Sequence, residues 1–135
     1  MQDEVLDFIA ENSHAVLSTT RRDGRPQLSP VDVTVNADGQ VVLSSRQTAM
    51  KVRNLRRDAY ASVCVIGREF YGTWCQVEGP VTIIDLPEAM DGLVDYYRRI
   101  SGEHPDWPDY RAAMVRDRRV LVVIDVQRAG PSVAG

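Results

Sequence analysis

The sequence is poor in the residues that most often carry chemistry. Its 135 residues include two cysteines and two histidines. Cys64 and Cys75 stand in apolar, strand-like surroundings without metal-ligand spacing, so they read as buried thiols and no metal site is expected. His14 and His104 lie in segments of unrelated type, which speaks for structural roles. There is no P-loop, no Gly-x-Gly-x-x-Gly after a strand, no Gly-x-Ser-x-Gly elbow and no catalytic-cysteine context. No run approaches the ~20 apolar residues of a membrane span. An excess of positive charge is also missing: 16 Lys plus Arg face 19 Asp plus Glu, a net charge of −3. That balance argues against a general nucleic-acid binder. The opening Met1-Gln2-Asp3-Glu4 is acidic, unlike a secretory or mitochondrial leader, so the expected location is the cytoplasm. With the usual catalytic side chains absent, an enzyme of this sequence would need a cofactor to supply the reaction.

What is present is a β-rich pattern. The length and a hydrophobic fraction of 44% suit one domain, residues 1–135, with a real core. Val5, Leu6 and Ile9 predict a helix over 3–12. Strands are expected at 15–20, 27–35, 40–45, 60–66, 71–85 and 119–126. Asp23-Gly24 supplies a hairpin turn, and Asn36-Ala37-Asp38-Gly39 another. Gly79-Pro80 marks a bend within the long strand. Pro87 is expected to open a helix running to about Ile100, and a second helix covers 108–116. Asp106 and Asp109 read as solvated caps. Val120 to Ile124 is apolar on both faces and belongs in the middle of the core. The tail from Arg128 is rich in small residues and is expected to be loose. Antiparallel meanders of this kind remove their edges by closing into barrels.

One stretch stands out against the acidic background. Residues 46–58 carry five cations (Arg46, Lys51, Arg53, Arg56, Arg57) and no acid before Asp58. The spacing predicts a helix over 48–57 with Thr48 as N-cap. Lys51 then falls where a capping box would place Glu or Gln. A cation in the first turn opposes the helix dipole at a cost of ~0.3–1 kcal/mol. A bound anion reverses that sign, and free N–H groups, a hydroxyl and a lysine together make a phosphate site. Ser44 and Ser45, ending the preceding strand, add hydroxyls. The competing reading is a solvated basic helix.

Several segments resemble one known family. Ala15-Val16-Leu17-Ser18-Thr19-Thr20 with Asp23-Gly24-Arg25-Pro26-Gln27, the helix pattern Thr48-x-x-Lys51-x-x-Asn54-Leu55-x-x-Asp58, and Val77-Glu78-Gly79 occur in the order seen in flavin and deazaflavin oxidoreductases related to pyridoxamine 5′-phosphate oxidase. Tyr97-Arg98-Arg99-Ile100-Ser101-Gly102-Glu103-His104-Pro105-Asp106-Trp107 with Tyr110-Arg111-Ala112-Ala113-Met114 is similar to the actinobacterial branch that uses coenzyme F420. The resemblance implies a mainly β fold, a six-stranded antiparallel split β-barrel with a few flanking helices. It implies a homodimer with cofactor sites at the subunit interface. F420, or alternatively FMN, is the cofactor implied, and a small electron-poor molecule the substrate. The cofactor phosphate would lie at Lys51 with Thr48, Ser44 and Ser45, on the helix that carries Asn54. Arg53 and Arg56 would reach an acidic oligoglutamate tail. Gln27, Ser29 and Pro30 would lie beside the ring, and Trp74 and Gln76 would line the substrate side. No side chain is assigned a catalytic role. A non-catalytic carrier or sensor of flavin or haem is also compatible with the thin set of catalytic side chains.

Two departures qualify the match. Ala49 and Met50 stand where many relatives carry a second cation, which weakens the phosphate clamp or shifts that role to Arg46. Val126-Gln127-Arg128-Ala129-Gly130 stands where pyridoxamine-phosphate oxidases have Arg-Leu-His, so oxidation of pyridoxamine phosphate is not expected.

Overall fold

The computed structural model describes residues 2–130 and 133–134. Six long strands form the frame: β1 (His14–Thr20), β2 (Pro26–Asp32), β4 (Val41–Arg46), β5 (Tyr60–Ile66), β6 (Thr73–Ile84) and β7 (Arg119–Ile124). Three two-residue strands add to it: β3 (Thr34–Val35), β8 (Arg128–Ala129) and β9 (Val133–Ala134). Four helices flank the sheet: α1 (Gln2–Glu11), α2 (Met50–Arg57), α3 (Met90–Ser101) and α4 (Trp107–Arg116). The strand order is β2-β1-β5-β6-β7-β4-β3, antiparallel at each step.

The two ends of that path, β2 and β3, are neighbours in the chain, with Val33 alone between them. Val33 is fully buried, and its N–H donates to the Ser13 carbonyl at 2.8 Å instead of joining a ladder. The expected strand 27–35 is therefore two pieces, one on each edge of an incompletely closed, split barrel.

β6 belongs to both halves. Its pairing with β5 ends at Tyr60↔Pro80, and its pairing with β7 begins at Val81↔Ile124. The bend falls at Gly79-Pro80, as the sequence suggested. A Cβ on Gly79 would lie 1.7 Å from the Asp125 carbonyl oxygen, so only glycine fits there. The crossing is closed by the Asp125 N–H donating to the Pro80 carbonyl and the Gln127 N–H to the Glu78 carbonyl, both at 2.9 Å.

Alternation along the strands fills the barrel. Leu17, Val63, Val65, Cys75 and Val77 meet Leu43, Val122 and Ile124, with Val5 and Ile9 from α1 and Val52 and Leu55 from α2. A second apolar layer lies outside β4 and β7, where Val42, Leu121 and Val123 are covered by Ala89 and Leu93. β7 is thus buried on both faces, which explains its unbroken apolar run.

Four boundaries differ from expectation. α2 begins at Met50, so Thr48 is an exposed turn residue and the N-cap is Ala49, without a side-chain cap. α3 begins at Met90, because the Ala89 N–H donates to Asp85 and the Met90 N–H to Pro87, closing turns over residues 85–90 first. α4 starts at Trp107, with the Asp106 carboxylate accepting the Asp109 N–H at 3.1 Å. The tail expected to be loose pairs with β6 instead, Val77↔Ala129 and Trp74↔Val133. Met1 and residues 131, 132 and 135, on which parts of the leader and tail expectations fall, lie outside the described residues.

Gly79→Ala should destabilise the fold by about 3 kcal/mol or more, because backbone must yield on one side of the contact. Urea denaturation followed by tryptophan fluorescence measures it; a change below about 1 kcal/mol would contradict the close packing of the two sheets.

Candidate functional site

A cleft of ≈ 630 Å³ opens beside the first turn of α2. Its floor comes from two strand ends and the helix: Ser44 from β4, Arg119 from β7 and Lys51 from α2. Pro30 and Val31 of β2 form one side, and Tyr96, Tyr97 and Tyr110 of the α3–α4 pair form the other. His14 and Asp32 stand at the rim, 3.8 Å apart.

The walls are anchored by phenols. The Tyr96 hydroxyl donates to the Asp32 carbonyl at 2.8 Å, tying α3 to β2. The Tyr110 hydroxyl donates to the Leu93 carbonyl at 2.9 Å, tying α4 to α3. Burial, with the charge of Asp32 adding, pushes the Tyr96 phenol up to about 12, so it stays a neutral donor.

The floor is electrostatically unbalanced. Burial, and then the neighbouring Arg119 charge, hold the Lys51 ammonium below the usual lysine range. Arg119 Nε is buried and has no hydrogen-bond partner among the described residues. Two cations and an unused buried donor therefore share one floor. A buried donor left without a partner costs ~1–3 kcal/mol, so the arrangement calls for an acceptor. An anion of phosphate size would satisfy the Arg119 donor and stabilise the Lys51 charge together. The cleft volume lies in the range of ~300–1,000 Å³ usual for small-molecule and cofactor sites.

The comparison with known families meets this geometry. The family model described as pyridoxamine 5′-phosphate oxidase matches residues 1–131. The chain belongs to that family. Among solved structures it is similar to the conserved hypothetical protein Rv2991 from Mycobacterium tuberculosis, with 26% identity, TM-score 0.78, and coverage of 100% of this chain and 92% of that one. It is also similar to an F420 reductase, with 21% identity, TM-score 0.70 and coverage of 92% and 94%. A heme binding protein from Mycobacterium smegmatis shares the fold at 19% identity, TM-score 0.72 and coverage of 95% and 52%. The family and the split-barrel fold read from the sequence are therefore correct.

The residues singled out from the sequence go to different places in this family member. Lys51, Ser44 and Pro30 meet in the cleft. Ser45 does not: it is 3% exposed, faces the barrel interior, and donates to the Arg46 carbonyl at 3.3 Å. Thr48 does not line the cleft. Ser29 is half-buried on β2, opposite Leu17. Arg56 points away and pairs with Asp85 at 2.6 Å. Gln27, Arg53 and Asn54 belong to a second cleft on the other flank of α2. Asn54 is only 1% exposed; its amide donates to Thr19 at 3.1 Å and Gln27 at 3.2 Å, and its oxygen accepts from Arg57 at 3.1 Å. Trp74 and Gln76 lie on the outward face of β6 and line neither cleft.

Arg119 is the residue that sequence reasoning missed. The second cation was expected at Arg46, which is exposed and directly opposite Arg119 across the β4–β7 ladder. The usable signal was that ladder: Val41 to Arg46 and Arg119 to Ile124 are apolar runs ending in a charge at the same edge. His104 is packed among Tyr97, Trp107 and Tyr110, with Nδ1 accepting the Asp106 N–H at 2.8 Å.

The lowered Lys51 pKa carries a sign. Between that value and about 10.5, the unfolded chain binds more protons than the folded one, so the Lys51 contribution to stability rises with pH across this window. Anion binding should fall over the same window as the ammonium deprotonates. Lys51→Met is expected to raise the melting temperature at pH 7 and to flatten its rise toward pH 10; differential scanning calorimetry of both proteins across that range checks it. An unchanged profile would remove Lys51 from the buried floor.

Proposed function

We infer that this chain is an oxidoreductase that binds coenzyme F420 in the Lys51–Arg119 cleft and reduces an electron-poor double bond of a small organic substrate. The observation that carries the reading is the pair of cations on one floor, with a buried guanidinium donor that no group among the described residues uses. The phosphate-bearing, planar redox coenzymes of this family's relatives have the charge and shape for it. When bound, F420 supplies a hydride; the protein supplies position and the exclusion of water.

Each wall then has a task. Lys51, Arg119 and the Ser44 hydroxyl hold the phosphate. Pro30 and Val31 give a flat apolar edge for the ring, and Tyr96 and Tyr97 close the opposite side. Tyr96 stays protonated with its hydrogen on the Asp32 carbonyl, so it cannot act as a base at neutral pH. The proton that accompanies the hydride comes from solvent or a hydroxyl at the rim.

The working form in this reading is a homodimer. Support comes from the outward face of the β2-β1-β5-β6 half, where Leu28 is 64% exposed and Val16, Cys64 and Trp74 are half-buried. Trp74 and Gln76 on that face would serve the cleft of a second subunit rather than their own. FMN carries the same phosphate and is the second reading within the family. A carrier without turnover is the third.

Titration of purified protein with F420 and with FMN separates the first two: saturable F420 binding without FMN uptake supports the proposal, and FMN retained through purification replaces it. Lys51→Ala and Arg119→Ala should each weaken cofactor binding by about 1.5–3 kcal/mol, the size of a charge-assisted hydrogen bond. Unchanged dissociation constants would move the phosphate elsewhere. Turnover of any acceptor by the reduced holoprotein eliminates the carrier.

A further inference from the structure

His14 stands at the rim of the Lys51–Arg119 cleft and also lines a further cleft of ≈ 580 Å³. This cleft lies between the end of α1 with the turn after it, which give Glu11, Asn12 and Ser13, and the start of the β5–β6 hairpin turn, which gives Ile66, Gly67 and Arg68. The two clefts therefore adjoin at one imidazole. A molecule that enters the first from its rim passes His14, and with enough length it reaches the other. The volume is again within the ~300–1,000 Å³ usual for small-molecule sites.

Both walls are fixed by contacts behind them. On one side the Asn12 side-chain amide donates to the Phe8 carbonyl at 2.9 Å, and the Ser13 carbonyl accepts the Val33 N–H at 2.8 Å. On the other the Gly67 N–H donates to the Thr73 carbonyl at 3.0 Å. A Cβ on Gly67 would lie 2.6 Å from that carbonyl oxygen and 3.2 Å from the Phe8 ring, so glycine is what lets the hairpin close down on α1. The lining that these walls present is polar. Asn12, Ser13 and His14 offer hydrogen-bond donors and acceptors, Glu11 and Arg68 bring one charge of each sign, and Ile66 is the one large apolar side chain among the described residues. A polyanion would meet the Glu11 carboxylate, and a hydrocarbon would leave the polar groups without partners. The chemistry that fits is uncharged and hydrogen-bonding, a carboxamide or a hydroxylated group.

We propose that the His14–Arg68 cleft is the distal half of the substrate site. It holds the uncharged, hydrogen-bonding end of an elongated acceptor whose electron-poor double bond lies in the Lys51–Arg119 cleft, with His14 at the junction. The nature of the reacting end rests on the redox reading above; the polar cleft that takes the far end stands on its own observations. In the reaction one carbon of the double bond takes a hydride from reduced F420, which is left oxidised, and the other takes a proton from solvent. The bond becomes single, and the far end of the molecule is unchanged.

The test compares three compounds with the F420-loaded protein: cyclohex-2-enone, the same ring carrying a carboxamide at the end of an alkyl linker, and a counterpart of equal length ending in methyl. The carboxamide compound is expected to show a KM about tenfold below the other two at similar kcat, the worth of one or two neutral hydrogen bonds. Ser13→Ala combined with Arg68→Ala should remove that advantage; neither residue lines the first cleft. A second readout does not need turnover. In ¹⁵N-labelled protein, free and F420-loaded, the carboxamide compound should shift the Ser13 and Gly67 backbone amides saturably, and the double variant should lose the saturation. Turnover of none of the three compounds, with those shifts still saturating, would overturn the redox reading and leave the cleft as a site for the carboxamide end. Equal KM values for the carboxamide and methyl compounds, an advantage that survives the double variant, or no saturable shifts in either form of the protein would overturn the proposal.

Discussion

The contact between Gly79 and the Asp125 carbonyl holds the two halves of the molecule in register. β6 can serve both β5 and β7 only if it turns sharply where it changes partner, and only glycine lets the chain after β7 pass so close. Everything downstream depends on that crossing. It places Ile124 against both Val41 and Val81, which fixes how β7 lies between β4 and β6. That register sets Ser44 across from Leu121 and Arg46 across from Arg119. The far ends of β4 and β7 therefore emerge together beside α2, and the cleft floor is a consequence of the core.

The cleft shows how a stable frame tolerates an unstable site. Lys51 and Arg119 repel, and both are partly removed from water. Their cost is met by apolar layers on either side, one inside the barrel and one under α3. The aromatic wall is rigid for a separate reason. Tyr97, His104, Trp107 and Tyr110 pack at centroid separations of 5.0–5.8 Å, Arg98 stacks on Trp107 at 4.8 Å, and Glu103 accepts from both Arg98 and Trp107. The α3–α4 pair carries its own small core, so it can form one side of a cleft without leaning on a ligand.

That cluster also explains what was legible. The run from Tyr97 to Tyr110 was legible as one unit because Tyr97, Arg98, Glu103, His104, Trp107 and Tyr110 contact one another within it. Turns were legible from Asp23-Gly24 and Gly39, where φ is +89° and +74°, and β7 from its two apolar faces. The site was less so. Lys51 was found because its charge is wrong for its place on the helix, a local signal. Arg119 was missed because its role comes from strand register, a long-range property, and the surrounding Arg116-Asp117-Arg118-Arg119 reads as surface. Ser45 and Asn54 were misplaced because the burial of a single polar residue depends on which neighbours satisfy it, and composition does not reveal that. Thr48 was misplaced because the chain takes an extra turn before α2.

The basic stretch asked for a local reason, and the structure supplies several. A helix advances about 100° per residue, so neighbouring cations on it cannot share a destination. Lys51 faces the first cleft, Arg53 and Arg57 face the second, and Arg56 is neutralised by Asp85. Arg53 and Arg57 are four apart, where like charges cost a helix ~0.2–0.5 kcal/mol. The helix is too short and too charged to hold itself together; Val52 and Leu55 in the barrel core, and Asn54 in its polar network, hold it instead. α2 is best understood as a partition with a buried inner edge and two cationic flanks. Its hold on the barrel comes from that inner edge, so its outer residues carry charge without being needed for packing.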